Sequence, residues 1–91
     1  MLSEIKGLGR ILISEEAEET LVRGDIVIAL AKHGSGEWGD VCEEQKRAND
    51  IAREKGIGPM SSAWLDDKRT PFEIVTDADR QSTKVQLLKT S

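Results

Sequence analysis

The sequence predicts an α+β fold: a short N-terminal strand, then two to three helices packed on one face of a C-terminal three-stranded antiparallel meander. Three observations carry this. Residues 10–13 are a short β-prone apolar run, residues 14–56 hold helix start and stop signals around helical periodicity, and beyond residue 60 the periodicity changes to two. The chain of 91 residues is long enough for one hydrophobic core, so residues 1–91 are read as a single small domain. Residues 1–9, mixed and punctuated by glycine, are expected to be poorly ordered.

The first strand, R-I-L-I at residues 10–13, closes at Ser14. Ser14 followed by Glu15 and Glu16 is a helix start, because the hydroxyl accepts an early backbone amide and the acids face the positive end of the dipole. That helix is expected to run to about residue 23 and stop at Gly24, with Asp25 capping a second segment over residues 26–33. The run I-V-I-A-L-A at residues 26–31 is β-branched at its start and helix-friendly at its end. Helical spacing gathers Ile26, Ala29, Leu30 and His33 on one face, and the bracketing Asp25 and Gly34 favour a helix.

Asp40 or Cys42 caps a third helix over about residues 42–55, ended by Gly56, whose apolar face is read as Val41, Ala48, Ile51 and Ala52. Strands are then expected at residues 62–66, from residue 72 to 76, and from residue 84 to 87. The turns between them are 67–70 and 77–81. Alternation puts Phe72, Ile74 and Thr76 on one side of their strand and Glu73 and Val75 on the other. Val85 and Leu87 alternate likewise with Lys84 and Gln86, so Phe72, Ile74, Val85 and Leu87 are the expected buried face.

Composition bounds the function. Seventeen acidic and thirteen basic residues give a net charge of −4, and the two signs are interleaved, which argues against the basic face of a direct nucleic-acid binder. Cys42 is the single cysteine, which excludes an internal disulfide and a cysteine-rich zinc site and suits a reducing cytoplasm. The longest apolar run, residues 26–31, is far too short to span a bilayer, so a cytoplasmic protein without a membrane partner is expected. Only Trp38, Trp64 and Phe72 are aromatic, leaving the core to aliphatic side chains.

Residues 34–39, G-S-G-E-W-G, match the G-x-G-x-x-G pattern of dinucleotide-binding loops. In that motif a buried strand runs into the first glycine and the third glycine packs inside the helix that follows. Here Ala31, Lys32 and His33 separate the apolar run from Gly34, Gly39 precedes the cap of the next helix, and Glu43, Glu44, Lys46 and Arg47 occupy the first helical turn. An antiparallel meander also leaves no parallel sheet to form the crevice, so no cofactor is assigned.

The same loop holds the candidate functional residues. His33, the single histidine, reads first as a helix-end residue donating to terminal carbonyls or packing beside Leu30; with Glu37 and Asp40 it would form a metal site or a base only if the loop folded the three together. Trp38 reads as a lid on the core, its indole N–H satisfied, or else as a binding anchor. The serines and aspartates at 61–62, 66–67, 77 and 79 read as turn and strand-edge chemistry. No catalytic or metal residue is assigned; His33, Glu37, Trp38 and Asp40 stand as a candidate interaction loop.

The stretch A-K-H-G-S-G-E-W-G-D-V at residues 31–41, continued by Glu43, Glu44, Arg47, Ala48 and Asn49 and by T-D-A-D-R at residues 76–80, resembles a bacterial family labelled plasmid-related protein, sometimes named type I restriction endonuclease subunit M. The likeness spans about residues 28–88, and its central pattern is close to His-x-Ser-Gly-Asp-Trp-Gly-Asp. It implies a bacterial cytosolic protein carried on plasmid or other mobile DNA and brings no established activity or catalytic residue. The methylase name does not suit the chain, which has no tyrosine and no Pro-Pro pair for an adenine-methyltransferase motif. The expected function is therefore a non-enzymatic interaction module whose partner is another protein. The alternative is a small metal-assisted or histidine-dependent enzyme using His33, Glu37 and Asp40.

Overall fold

The structure is a computed structural model that describes residues 4–5 and 8–88. Its elements are β1 (Glu4–Ile5), β2 (Gly9–Ile13), α1 (Glu15–Thr20), α2 (Arg23–Gly34), α3 (Glu43–Lys55), β3 (Met60–Leu65), β4 (Pro71–Thr76) and β5 (Ser82–Leu87). The α+β class and three helices match the sequence expectation, but the sheet is larger than a meander. Among the described residues it has five strands in the order β1-β2-β5-β4-β3. β3, β4 and β5 pair antiparallel, whereas β2 lies parallel to β5, with Ile11 opposite Thr83 and Ile13 opposite Val85. Leu8, within the stretch expected to be poorly ordered, is 2% exposed and belongs to the core, and Glu4–Ile5 pairs with β2; residues 1–3, 6 and 7 lie outside the described residues.

Register sets the inner face. Met60, Thr76 and Thr83 stand in one row across β3, β4 and β5, Ser62, Ile74 and Val85 in the next, and Trp64, Phe72 and Leu87 in the third. Phe72, Ile74 and Val85 are fully buried, Leu87 is half-buried, and Lys84 is exposed on the other side, which is the alternation read from the sequence. That other side stays open to solvent at Leu12 and Lys84.

Ser14 caps α1 as expected, its hydroxyl accepting from the Ala17 amide at 3.1 Å. The helix ends earlier than expected, at Thr20, and Gly24 falls inside the first turn of α2 rather than stopping α1. The cause is tertiary. The Val22 amide is held by the Asp66 carboxylate at 3.2 Å, which fixes an extended Val22 and restarts the helix at Arg23. α2 then buries Ile26, Ala29, Leu30 and His33, the face expected from helical spacing.

α3 starts after Cys42 and ends at Gly56, whose left-handed conformation sends its amide back to the Ala52 carbonyl. Its buried face differs from the expected one. Asn49 and Ala52 are inside, while Ala48 is exposed and Ile51 is 48% exposed. Asn49 is inside because its amide serves as a strand residue would: Nδ2 donates to the Ser61 carbonyl at 2.7 Å, and Oδ1 accepts from the Ser61 amide at 3.0 Å. One polar side chain thus covers part of the free edge of β3. At the other end of α3, Arg80 in the β4–β5 turn donates to the carbonyls of Gly58 and Ala52, placing a cation at the negative end of the helix.

This pairing predicts an inverted ranking on α3. Asn49→Ala, which orphans both backbone groups of Ser61, is expected to cost about 3 kcal/mol, whereas Ile51→Ala should cost under about 1 kcal/mol. Urea denaturation of the two variants measures both; equal losses would show that α3 packs through its isoleucine after all.

Candidate functional site

The loop after α2 turns inward. Ser35 closes the helix, and Gly36 and Gly39, with φ of +90° and +68°, reverse the backbone on either side of Trp38. Trp38 is 5% exposed, its indole N–H donating to Asp50 Oδ1 at 2.8 Å. The lid reading of Trp38 agrees with this placement. Gly39 is required there on two counts: its positive φ, and a Cβ that would fall on the Ala63 carbonyl and the Trp64 ring. The closeness has a purpose. Ala63 donates to the Trp38 carbonyl at 3.2 Å and accepts from the Asp40 amide at 2.9 Å, so the loop adds a one-residue parallel bridge beyond β3 and continues the edge covering begun by Asn49.

His33 does not bond helix-terminal carbonyls as the sequence suggested. It is fully buried, with Nδ1 2.7 Å from Ser62 Oγ and Nε2 2.9 Å from Thr76 Oγ1. Ser62 Oγ also receives the Trp64 indole N–H at 2.7 Å. At the far end Thr76 Oγ1 meets Thr83 Oγ1 at 2.8 Å, and Thr83 donates to the Leu8 carbonyl at 2.7 Å. The chain of bonds ends at a carbonyl, which only accepts, and that end fixes the protons as far as the ring. Thr83 spends its proton on Leu8 and must accept from Thr76, and Thr76 must then accept from His33 Nε2–H; burial of the ring disfavours the imidazolium, so Nδ1 is left to accept the proton of Ser62, whose oxygen takes the Trp64 N–H. The imidazole is therefore neutral and protonated on Nε2. The edge of the Trp38 and His33 rings meet at 90°, centroids 5.3 Å apart.

Burial, and secondarily the positive charge of Arg80, push the His33 pKa down to about 4. Both ring nitrogens are committed within the core. Glu37 and Asp40, by contrast, are exposed on the loop, and no three metal-capable side chains gather anywhere among the described residues. The structure therefore keeps His33 and Trp38 inside and leaves only Glu37 and Asp40 of the four candidates facing solvent. Gly34 ends a helix rather than a strand and Gly39 precedes α3, so residues 34–39 lack the strand–turn–helix geometry of a dinucleotide loop.

Sequence reasoning missed Ser62, Thr76 and Thr83 as partners of His33. The signal was present, since Thr76 alternates in phase with Ile74, and Thr83 with Val85, which puts hydroxyls on a face otherwise aliphatic. Ser62, read as strand-edge chemistry, is in fact 1% exposed. Asp66 does the turn work expected of it. Burial alone would raise its pKa, but the amides of Thr70, Val22 and Lys68 and the Lys68 charge hold it below the usual carboxylate value.

Beside the loop, a cleft of about 320 Å³ opens between Gly39 and Asp40 on one wall and Pro71 and Leu88 on the other, with Ala63, Trp64 and Leu65 between them. Leu65 is 60% exposed there. Comparison of the chain with protein-family models, with curated proteins and with solved structures gives no match. No helix among the described residues is long and apolar enough to cross a membrane.

The neutral imidazole makes stability depend on pH. His33 has a folded pKa of about 4 against 6.5 for the free side chain, so its contribution is complete above pH 6.5 and is lost as pH falls from 6.5 towards 4. About 2 kcal/mol should disappear between roughly pH 6.5 and pH 5, above the range where most carboxylates titrate. Urea midpoints of wild type and His33→Gln across that window check this. The wild-type curve should fall and the variant's stay nearly level; parallel curves would mean that the buried imidazole is not the titrating group.

Proposed function

We propose that the chain is a non-enzymatic interaction module that holds another protein at the cleft beside the 38–40 loop, in the cytoplasm of a bacterium that carries it on plasmid or other mobile DNA. One observation carries the docking site: an exposed apolar cleft, with Leu65 60% exposed, stands directly against the exposed Asp40 of the candidate loop. An apolar side chain of the partner enters between Leu65, Pro71 and Leu88, and a basic residue beside it pairs with Asp40. The mobile-DNA setting is supported by the resemblance of residues 28–88 to the plasmid-related family. The mixed surface charge favours a protein over a nucleic acid as partner.

No observation favours the enzyme reading, because the one histidine has no free ring nitrogen and stands apart from Glu37 and Asp40. The residues that carry the family resemblance have other work. His33, Trp38, Gly39, Asn49, Thr76 and Arg80 each hold elements together, which accounts for that pattern without any catalytic role.

A photo-crosslinking side chain placed at Leu65 in the native host is expected to trap one discrete heavier species, lost when Asp40→Lys is added. The same probe at the exposed Glu54 of α3 should trap none. Absence of any adduct from Leu65, an adduct indifferent to Asp40→Lys, or an adduct containing only a second copy of this chain would contradict the reading.

A further inference from the structure

The outward face of α2 is as free of charge as its buried face. On a helix of 3.6 residues per turn, Gly24, Ile28, Ala31 and Ser35 fall on one line opposite the buried Ile26, Ala29, Leu30 and His33, with Val27 beside it. All five are exposed, Val27 at 44% and Ile28 at 55%. A surface helix ordinarily turns its polar face to water; α2 turns an apolar one.

Gly24 has no reason within the fold. Its φ is not positive, and a Cβ built on it would meet nothing within 4 Å. Glycine weakens a helix relative to alanine, and at Gly24 it leaves the α2 backbone open to close approach from outside. The charges flanking the stripe say what approaches. Asp25 and Lys32 lie on the same side of α2, seven positions apart, with Ile28 near their midpoint. A two-fold axis through Ile28, crossing two copies of α2 antiparallel, lays Asp25 of each copy against Lys32 of the other and Gly24 of each against Ala31 of the other. Small residues at both ends let the helices approach closely around the central Ile28 pair.

We propose that the chain forms a homodimer through the outer face of α2, antiparallel about Ile28. The stripe shares no lining residue with the cleft at Leu65, although Lys32 reaches Trp64 on the cleft's wall, and the inference does not depend on that docking reading. Asp25 has capacity for the contact: one carboxylate oxygen takes the Asp67 amide at 2.7 Å and the other remains for Lys32 of the second copy. Lys32 is exposed, with its ammonium 5.9 Å from the centre of the Trp64 ring on that side of the helix. A single face of a twelve-residue helix, about 18 Å long, buries little surface when it meets one other helix, so the dimer is weak and reversible.

Sedimentation equilibrium of the purified chain from ~10 µM to ~1 mM tests it, with circular dichroism confirming that each variant is folded. Wild type is expected to pass from monomer to dimer over that range. Ile28→Arg, at an exposed position, should be monomeric throughout, and Gly24→Ala should weaken association although it favours the isolated helix. Lys32→Glu and Asp25→Lys should each weaken association at least about tenfold, and an equimolar mixture of the two should recover it as a heterodimer, because both cross-axis pairs are then opposite in charge. A wild type that stays monomeric, an Ile28→Arg variant that dimerises like wild type, a Gly24→Ala variant with unchanged association, or a mixture no tighter than its components would each overturn the proposal.

Discussion

The fold turns on a polar thread drawn through an aliphatic core. From the Trp64 indole to the Leu8 carbonyl, hydrogen bonds pass through Ser62, His33, Thr76 and Thr83, joining β3, α2, β4 and β5 to the segment that leads into β2. Buried polar groups are costly when unpaired and specifying when paired. Here every buried side-chain nitrogen and oxygen among the described residues has a partner. An aliphatic core accepts sliding of α2 along the sheet by a fraction of a turn; this one does not, since each hydroxyl has a single proton and a single correct recipient. The thread fixes the register of α2, and α2 sets where the Trp38 loop leaves the helix and where it reaches Ala63.

That placement governs what the surface offers. Trp38 closes over His33, Gly39 settles on Ala63, and Asn49 takes Ser61, so the part of the β3 edge most open to unwanted pairing is covered by a side-chain amide and a loop. Chemistry that a histidine in a glycine-rich loop would suggest is thereby withdrawn inward. What the loop leaves outside are the carboxylates of Glu37 and Asp40, the latter at the rim of an apolar cleft. The outer stripe of α2 is likewise apolar and exposed at Val27 and Ile28.

Much of this was legible in the sequence where periodicity and punctuation agree. The buried faces of α2 and of the β4–β5 pair, the Ser14 cap and the Gly56 stop follow from spacing and from residue types with a local backbone reason. What escaped depends on long-range partners. The break between α1 and α2 lies at Leu21 and Val22, not at Gly24, because Asp66, forty-four positions away, holds the Val22 amide. The α3 face was read as apolar, yet Asn49 is inside because it bonds a strand twelve positions on. The parallel pairing of β2 with β5 left no local signature. Of the candidate site, Trp38 was legible as a lid, whereas His33 was misread as a helix-end donor because its hydroxyl partners lie on two strands.

The central claim is the neutral, Nε2-protonated state of His33, and long-range 15N–1H correlation NMR of its imidazole tests it most directly. The bond directions require an Nε2–H slow to exchange with water, and burial of the ring requires an unprotonated Nδ1 at pH 7, both persisting until the ring titrates near pH 4. An Nδ1–H tautomer, rapid tautomer averaging, or an imidazolium at neutral pH would contradict the account, because any of them breaks the one-way order of protons from Trp64 to Leu8.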